Sequence, residues 1–352
     1  MTAVFTKKLL EWNLTSNFRD MPWKGEKDPY RIWLSEIILQ QTRVEQGWAY
    51  YQKFITEFPS IHDLASAPEQ RVFKLWEGLG YYSRCKNLLA TAKLISTELG
   101  GRFPDSYDQI HALKGIGPYT AAAIASFAFN KPYAVVDGNV IRVLARYFGI
   151  STPIGSAAAK SLYSLLAEAL LDKQQPAVYN QAIMDFGAVI CKPQQPLCAI
   201  CVQQSQCEAY KRNWVNRLPV KGKALQKKLR WFYYFIIEYD NRIYIRKRSS
   251  KDIWQNLYEF VLQEYDGMPS QSKPSFQTAL ETLLGEDRAD IQQVSQIYKQ
   301  QLTHQTITGQ FITVRIYKPA LIEDYKPVLK EDLAKYPFPK MISTWLFSQL
   351  AV

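Results

Sequence analysis

The spacing of apolar residues changes once along the chain, and this change constrains the fold more than any other feature. From the start to about residue 212, apolar side chains recur at threes and fours between capping and turn residues. The segments 29–48, 68–78, 82–99, 119–129 and 139–148 are examples. Each buries a stripe of a helix, so this part is expected to be almost wholly α-helical. Beyond residue 230 the texture becomes WFYYFIIEYDNRIYIRKR, where β-branched and aromatic residues surround the turn dipeptide Asp240-Asn241. Further β-rich runs at 292–298 and 307–318 accompany a helical segment at 275–285, which makes the second part α+β. A chain of 352 residues suits two domains, and 47% hydrophobic residues give each a core to bury. The expected division is 1–212 helical, 213–230 connecting and 231–352 α+β.

Between the two textures, residues 211–230 carry eight Lys or Arg and no acid. Such a stretch reads equally as a connector lying along phosphates and as a solvated linker. A formal net charge of +11 points to a polyanionic partner, although solubility alone tolerates such an excess. The start, MTAVFTKKLLEW, reads as an amphipathic helix rather than a signal peptide, and no run of eighteen apolar residues occurs. A cytoplasmic protein without membrane contact is the expectation. The three histidines, His62, His111 and His304, lack zinc-ligand spacing, which weighs against histidine-based hydrolytic chemistry.

Four of the five cysteines form the series Cys191-x6-Cys198-x2-Cys201-x5-Cys207, while Cys85 stands alone on a helix as an apolar residue. Closely spaced thiols in a cytosolic chain point to a metal rather than disulfides. A single short knuckle flanked by longer spacings is not the usual four-cysteine zinc pattern, and four thiolates also suit an iron-sulfur cluster, so zinc and iron both remain open here. Upstream, Leu113-Lys-Gly115-Ile-Gly117-Pro118-Tyr119-Thr120 joins two helical segments. Gly115 and Gly117 allow a tight turn and close backbone approach, Pro118 suits a first helical turn, and amides at that helix start can face a phosphate. Alone, a Gly-x-Gly turn is more often a plain helix connection than a binding site.

Two carboxylates sit in apolar company. Glu36 lies in RIWLSEIILQQT, a helix apolar around most of its circumference and therefore expected to be buried. Burial without a cation raises a carboxyl pKa and makes a general acid, although a buried glutamate bonded to nearby backbone accounts for the motif equally well. Asp137, in Tyr133-Ala-Val-Val-Asp137-Gly138-Asn139-Val140, stands where an apolar run meets a new helix. Asp137 or Asn139 can serve there as N-cap, and a capping carboxylate can also face a ligand. Cleaving an N-glycosidic bond requires this kind of pair, one carboxyl to protonate the leaving base and one to stabilise the cationic sugar.

With these residues in view, the chain resembles the helix-hairpin-helix DNA glycosylase superfamily, and within it the adenine glycosylases. The likeness runs through PYRIWLSEIILQQT, WEGLGYYSR, LKGIGPYTAAAIASFAF, VVDGNVIRVLAR, the cysteine spacing and a C-terminal region similar to a Nudix hydrolase. It implies a mainly α helix-hairpin-helix domain with an iron-sulfur cluster loop, followed by an α+β Nudix-like domain. It implies a 4Fe-4S cluster on Cys191, Cys198, Cys201 and Cys207 that takes no direct part in excision. Glu36 matches the residue that protonates adenine and helps activate water, Asp137 the carboxylate that stabilises the sugar cation, and Tyr119 and Asn139 positions lining the transition state. Gln41, Thr42 and Tyr81 match residues that enter the duplex, and Gln181 one near the extruded adenine.

The related endonuclease III carries a Schiff-base lysine where this chain has Tyr119, so the resemblance implies a monofunctional glycosylase that leaves an intact abasic strand. The segment 275–285 holds only Glu281 where Nudix hydrolases carry a glutamate-rich magnesium helix, which leaves that domain a recognition role. Thr303 and His304 match a Ser-His pair that reads 8-oxoguanine opposite the adenine. The expected partner is double-stranded DNA with adenine opposite 8-oxoguanine or guanine, bound by a monomer. The rivals are an endonuclease III-like enzyme acting on oxidised pyrimidines and an idle DNA-binding protein on the same scaffold; Tyr119 and the second domain argue against the first, and the Glu36–Asp137 pair against the second.

Overall fold

The computed structural model describes residues 2–21, 23–42, 44–222, 226–267, 276–285 and 289–350. The chain separates into two compact units, residues 1–66 with 87–223 and residues 67–86 with 224–352. The helices, in chain order, are α1 (Thr2–Thr15), α2 (Pro29–Leu39), α3 (Val44–Glu57), α4 (Ile61–Ser66), α5 (Glu69–Trp76), α6 (Tyr82–Glu98), α7 (Tyr107–Ala112), α8 (Pro118–Phe129), α9 (Gly138–Phe148), α10 (Ala157–Leu170), α11 (Pro176–Val189) and the single turn α12 (Glu208–Lys211). No helix among the described residues is long and apolar enough to cross a membrane.

In the first unit, α1 contributes Phe5, Leu9 and Trp12 to a core shared with α9, α10 and α11. These side chains follow the helical spacing of the N-terminal segment. The helix expected over 29–48 is two helices. The break has a backbone cause: Gln41 takes a left-handed φ of 57°, and the Thr42 amide turns back to the Leu39 carbonyl at 3.1 Å. Left-handed backbone ends the ladder of an L-residue helix. Part of the stretch read as a connector belongs to this core as well. Leu218 is buried in it, Trp214, Val215 and Val220 pack against it, and the Ile154 amide donates to the Val220 carbonyl at 2.9 Å.

The second unit is built on seven strands, β1 (Lys228–Tyr239), β2 (Arg242–Lys247), β3 (Tyr258–Asp266), β4 (Ala289–Val294), β5 (Tyr298–Gln301), β6 (Gln305–Ile316) and β7 (Lys326–Leu329), with helices α13 (Phe276–Leu284) and α14 (Lys340–Leu350). The strand order is β4-β6-β1-β3-β2-β7, with β5 paired to β6; β1 and β6 run parallel and the other pairs antiparallel. Strand β1 reads as a continuous apolar run because both of its faces are covered. Trp231, Tyr233, Phe235 and Ile237 pack with Ala279, Leu280 and Leu284 of α13. On the opposite face, Tyr234 stacks on Phe311, which in turn stacks on Trp345 of α14. Asp240 and Asn241 form the β1–β2 turn with φ of 45° and 58°, the conformation such a tight hairpin requires.

Candidate active site

The first unit holds a cavity of about 750 Å³ whose lining includes Glu36, Gln41, Thr42, Gly117, Tyr119, Asp137, Asn139 and Gln181. Residues that are up to 145 positions apart in sequence are thus gathered on one cavity by α2, the turn after it, the start of α8, the start of α9 and the middle of α11.

Glu36 is only 7% exposed, held by a helix whose neighbours Trp33, Leu34, Ile37 and Ile38 are all buried. Desolvation pushes its carboxyl from the ordinary 4.5 up to about 7; the hydrogen bond from Tyr119 opposes the rise and the negative charge of Asp137 adds to it. The Tyr119 hydroxyl donates to Glu36 Oε2 at 2.6 Å. Burial, with the two nearby carboxylates, holds the Tyr119 phenol well above its ordinary range, so it stays a neutral donor. Glu36 therefore exchanges its proton near neutrality inside a cavity, where an exposed carboxylate has none to give.

Asp137 is the N-cap of α9. Its Oδ1 accepts from the Val140 amide at 2.7 Å and its Oδ2 from Asn139 Nδ2 at 2.6 Å. Burial raises its pKa, and these two donors counter that rise by favouring the charged form. Capping and cavity lining are thus both supplied by one side chain. Asn139 is fixed in turn by Arg142, whose Nη2 donates to Asn139 Oδ1 and to the Gly187 carbonyl, each at 2.7 Å. Gly187 lets α11 come this close: a Cβ there would stand 2.7 Å from the Asn139 Cβ.

The hairpin between α7 and α8 is tied to α6 by the Thr91 hydroxyl, which donates to the Lys114 carbonyl at 2.8 Å. Gly115 has φ of 80°, and a Cβ there would meet the Asn87 Cβ at 2.6 Å, so both backbone and space call for glycine. Gly117 is the N-cap of α8, with Pro118 following and no side-chain cap on the first-turn amides, which suits an anion.

All four clustered cysteines line one small apolar cavity of about 30 Å³ together with Arg146. Among the described residues, no three His, Cys, Asp or Glu side chains stand at metal-ligand geometry. Burial pushes the Cys201 thiol up to about 12, and the other cysteines add to the rise, so thiolates here need compensating positive charge. The loop is anchored to α9 from two positions. Arg142 Nε donates to the Cys191 carbonyl at 2.8 Å, and Arg146 Nη1 to the Lys192 carbonyl at 2.7 Å. Cys85 is wholly buried and does not line this cavity.

Three of the expected DNA-contacting residues belong to the second unit. Thr303 and His304 form the β5–β6 turn, both exposed. Tyr81 has a left-handed φ of 48°, and its hydroxyl lies 2.9 Å from Thr303 Oγ1. Sequence reasoning did not single out Arg142, Arg146 or Asp185. The arginines had a signal, two cations at i and i+4 on the apolar face of VIRVLAR; they are 8% and 3% exposed. Asp185 had no signal beyond an acid in an apolar helix.

Comparison with known proteins places these features. Residues 34–168 match the family described as "HhH-GPD superfamily base excision DNA repair protein", and residues 232–346 match a NUDIX domain. The chain is 39% identical over 262 residues to an adenine DNA glycosylase from Buchnera aphidicola subsp. Baizongia pistaciae, covering 74% of each protein. It is 41% identical over 230 residues to an adenine DNA glycosylase of Homo sapiens, covering 62% of this chain and 42% of that one. A solved thermostable thymine-DNA glycosylase superposes with a TM-score of 0.55 at 33% identity, over 60% of this chain and 97% of that one. The resemblance and the fold class read from the sequence are borne out.

Proposed function

The chain belongs to the adenine DNA glycosylase family, and on that premise we propose that it excises adenine mispaired with 8-oxoguanine or guanine in duplex DNA, leaving an intact abasic strand. The observation that carries the reading is Glu36: a carboxyl with a pKa of about 7, facing the same cavity as a second, hydrogen-bonded carboxylate. A base inside a duplex is out of reach, so the adenine must be turned out into this cavity. Glu36, protonated, gives its proton to a ring nitrogen of the adenine. The bond between sugar C1′ and the base then breaks, and the electron pair leaves with the base. The Asp137 carboxylate, steadied by Asn139 and the Val140 amide, stabilises the positive charge on the sugar. Water adds at C1′ and loses its proton to the Glu36 carboxylate, which restores the acid. Tyr119 orients Glu36 and has no amine with which to cleave the strand.

The α7–α8 hairpin and Gln41 and Thr42 are assigned to the DNA backbone and the opened duplex. Recognition of the opposite base is assigned to Tyr81, Thr303 and His304, all of the second unit, and catalysis to the first unit, whose core takes in Leu218 from the stretch read as a connector. Cys191, Cys198, Cys201 and Cys207 would hold a 4Fe-4S cluster, which suits four thiols that line one small apolar cavity. Bound there, it would hold the loop in its fold. The test is adenine release from duplexes bearing adenine opposite guanine or 8-oxoguanine, assayed with and without alkali. Adenine release with strand breaks only after alkali is expected; no release, or strand cleavage without alkali, overturns the reading.

A further inference from the structure

Gln181 lines the cavity from α11, and one turn further along the same helix stands Asp185, whose side chain is entirely buried. Four donors converge on the Asp185 carboxylate. Gln181 Nε2 and Arg19 Nη1 reach Oδ1 at 2.9 and 2.7 Å, and Asn17 Nδ2 and Lys24 Nζ reach Oδ2 at 2.9 and 3.3 Å. The two oxygens thus act only as acceptors, so the Gln181 amide can meet them only through its NH₂ group. Turning the amide over would set its carbonyl oxygen against the carboxylate, next to two other oxygens with no proton between them. Among the described residues no donor reaches Gln181 Oε1, which remains the polar atom this side chain offers to the cavity.

We infer that Asp185 is a positioning residue that fixes the Gln181 amide with its carbonyl oxygen toward the cavity, and so makes this wall an acceptor for the exocyclic amine of the extruded base. This rests on the function proposed above and adds a reason for the choice of base. Adenine carries a donor at its 6-position and guanine an acceptor, so an amide held in one orientation welcomes the first and repels the second. A free amide would flip and accept both. Arg19 and Lys24, which also line the cavity, share this one carboxylate, which offsets one of their two positive charges and turns both side chains toward Asp185.

The test compares single-turnover excision of adenine with that of purine, which lacks the 6-amino group, each opposite guanine. Four proteins are measured: the wild type, Gln181→Met, Asp185→Asn, and the double variant Gln181→Glu with Asp185→Asn. Gln181→Met is expected to lower the adenine-to-purine rate ratio about tenfold, the scale of one hydrogen bond to a base edge. Asp185→Asn is expected to lower it too, since its own amide no longer dictates which end of Gln181 turns inward. The double variant exchanges carboxylate and amide without changing net charge. In it the amide placed at position 185 keeps its oxygen for Asn17 and Lys24 and donates to the carboxylate placed at position 181, to which Arg19, deprived of its acceptor at Oδ1, can also turn; the second oxygen of that carboxylate still faces the base, so the ratio should return toward wild type. A role in folding alone would slow both substrates equally and give no rescue. A ratio in the double variant as low as that of Gln181→Met, or an unchanged ratio in Gln181→Met, overturns the inference. If Asp185→Asn alone does not fold, comparing the double variant with Gln181→Met still decides. A wild type that excises neither base overturns the functional reading instead.

Discussion

Replacing Glu36 by Gln should remove excision and, above neutral pH, make the protein more stable. Gln is nearly isosteric, and its carbonyl oxygen can still accept the Tyr119 hydroxyl bond, so the fold should tolerate it. It cannot deliver a proton, and losing general acid-base catalysis costs at least ~10²-fold in rate. The stability effect follows from the raised pKa. The folded protein binds the Glu36 proton more tightly than the unfolded chain does, so the wild type loses stability as pH rises from 4.5 to about 7. The whole interval corresponds to roughly 3 kcal/mol, an upper figure because neighbours relax around a buried charge. Gln carries no such penalty. The difference between variant and wild type should therefore be near zero below pH 4, grow between 4.5 and 7, and level off above. Urea unfolding at pH 4, 6 and 8 measures it, with single-turnover adenine release on the same samples. Near-wild-type excision by the variant, or a stability difference that shrinks with rising pH, would refute the assignment of Glu36 as a buried acid.

The other expectations concern neighbouring parts of the molecule. Tyr119→Phe removes the bond that favours ionised Glu36, so the pH at which excision declines should move to the alkaline side; a shift to lower pH would contradict this. Gly115→Ala must enter a φ of 80° and meet Asn87, at ~1–2 kcal/mol for the backbone alone, whereas Gly117→Ala meets nothing within 4 Å. Thermal unfolding should therefore separate the two, and equal losses would remove the steric argument. Cys198→Ser should lower bound iron and weaken DNA binding, measured by iron content and fluorescence anisotropy; an iron-free wild type with full affinity would dismiss the cluster. Alanine at both Thr303 and His304 should reduce the preference for 8-oxoguanine over guanine by about tenfold while adenine release continues. An unchanged preference at limiting enzyme would remove the recognition role from that turn.

Periodicity alone separated the helical part from the sheet part, because apolar spacing records which face of each element is buried and needs no knowledge of partners. It also put Glu36 in an apolar helix and Asp137 at a helix start, where local rules suffice to expect burial and capping. The break after Leu39 escaped it: the apolar pattern continues from α2 into α3, and only the left-handed backbone at Gln41 ends the first helix. What depended wholly on tertiary structure was the company each residue keeps. Nothing local states that Tyr119 bonds Glu36 from 83 positions away, that Arg142 ties Asn139 to the Cys191 loop, or that Asp185 gathers Arg19 and Lys24 across more than 160 positions. Those pairings temper the pKa that burial raises in Glu36 and fix the orientation of the Gln181 amide. They arise because hydrogen bonds and charges act over a few ångströms in space, whatever the distance along the chain.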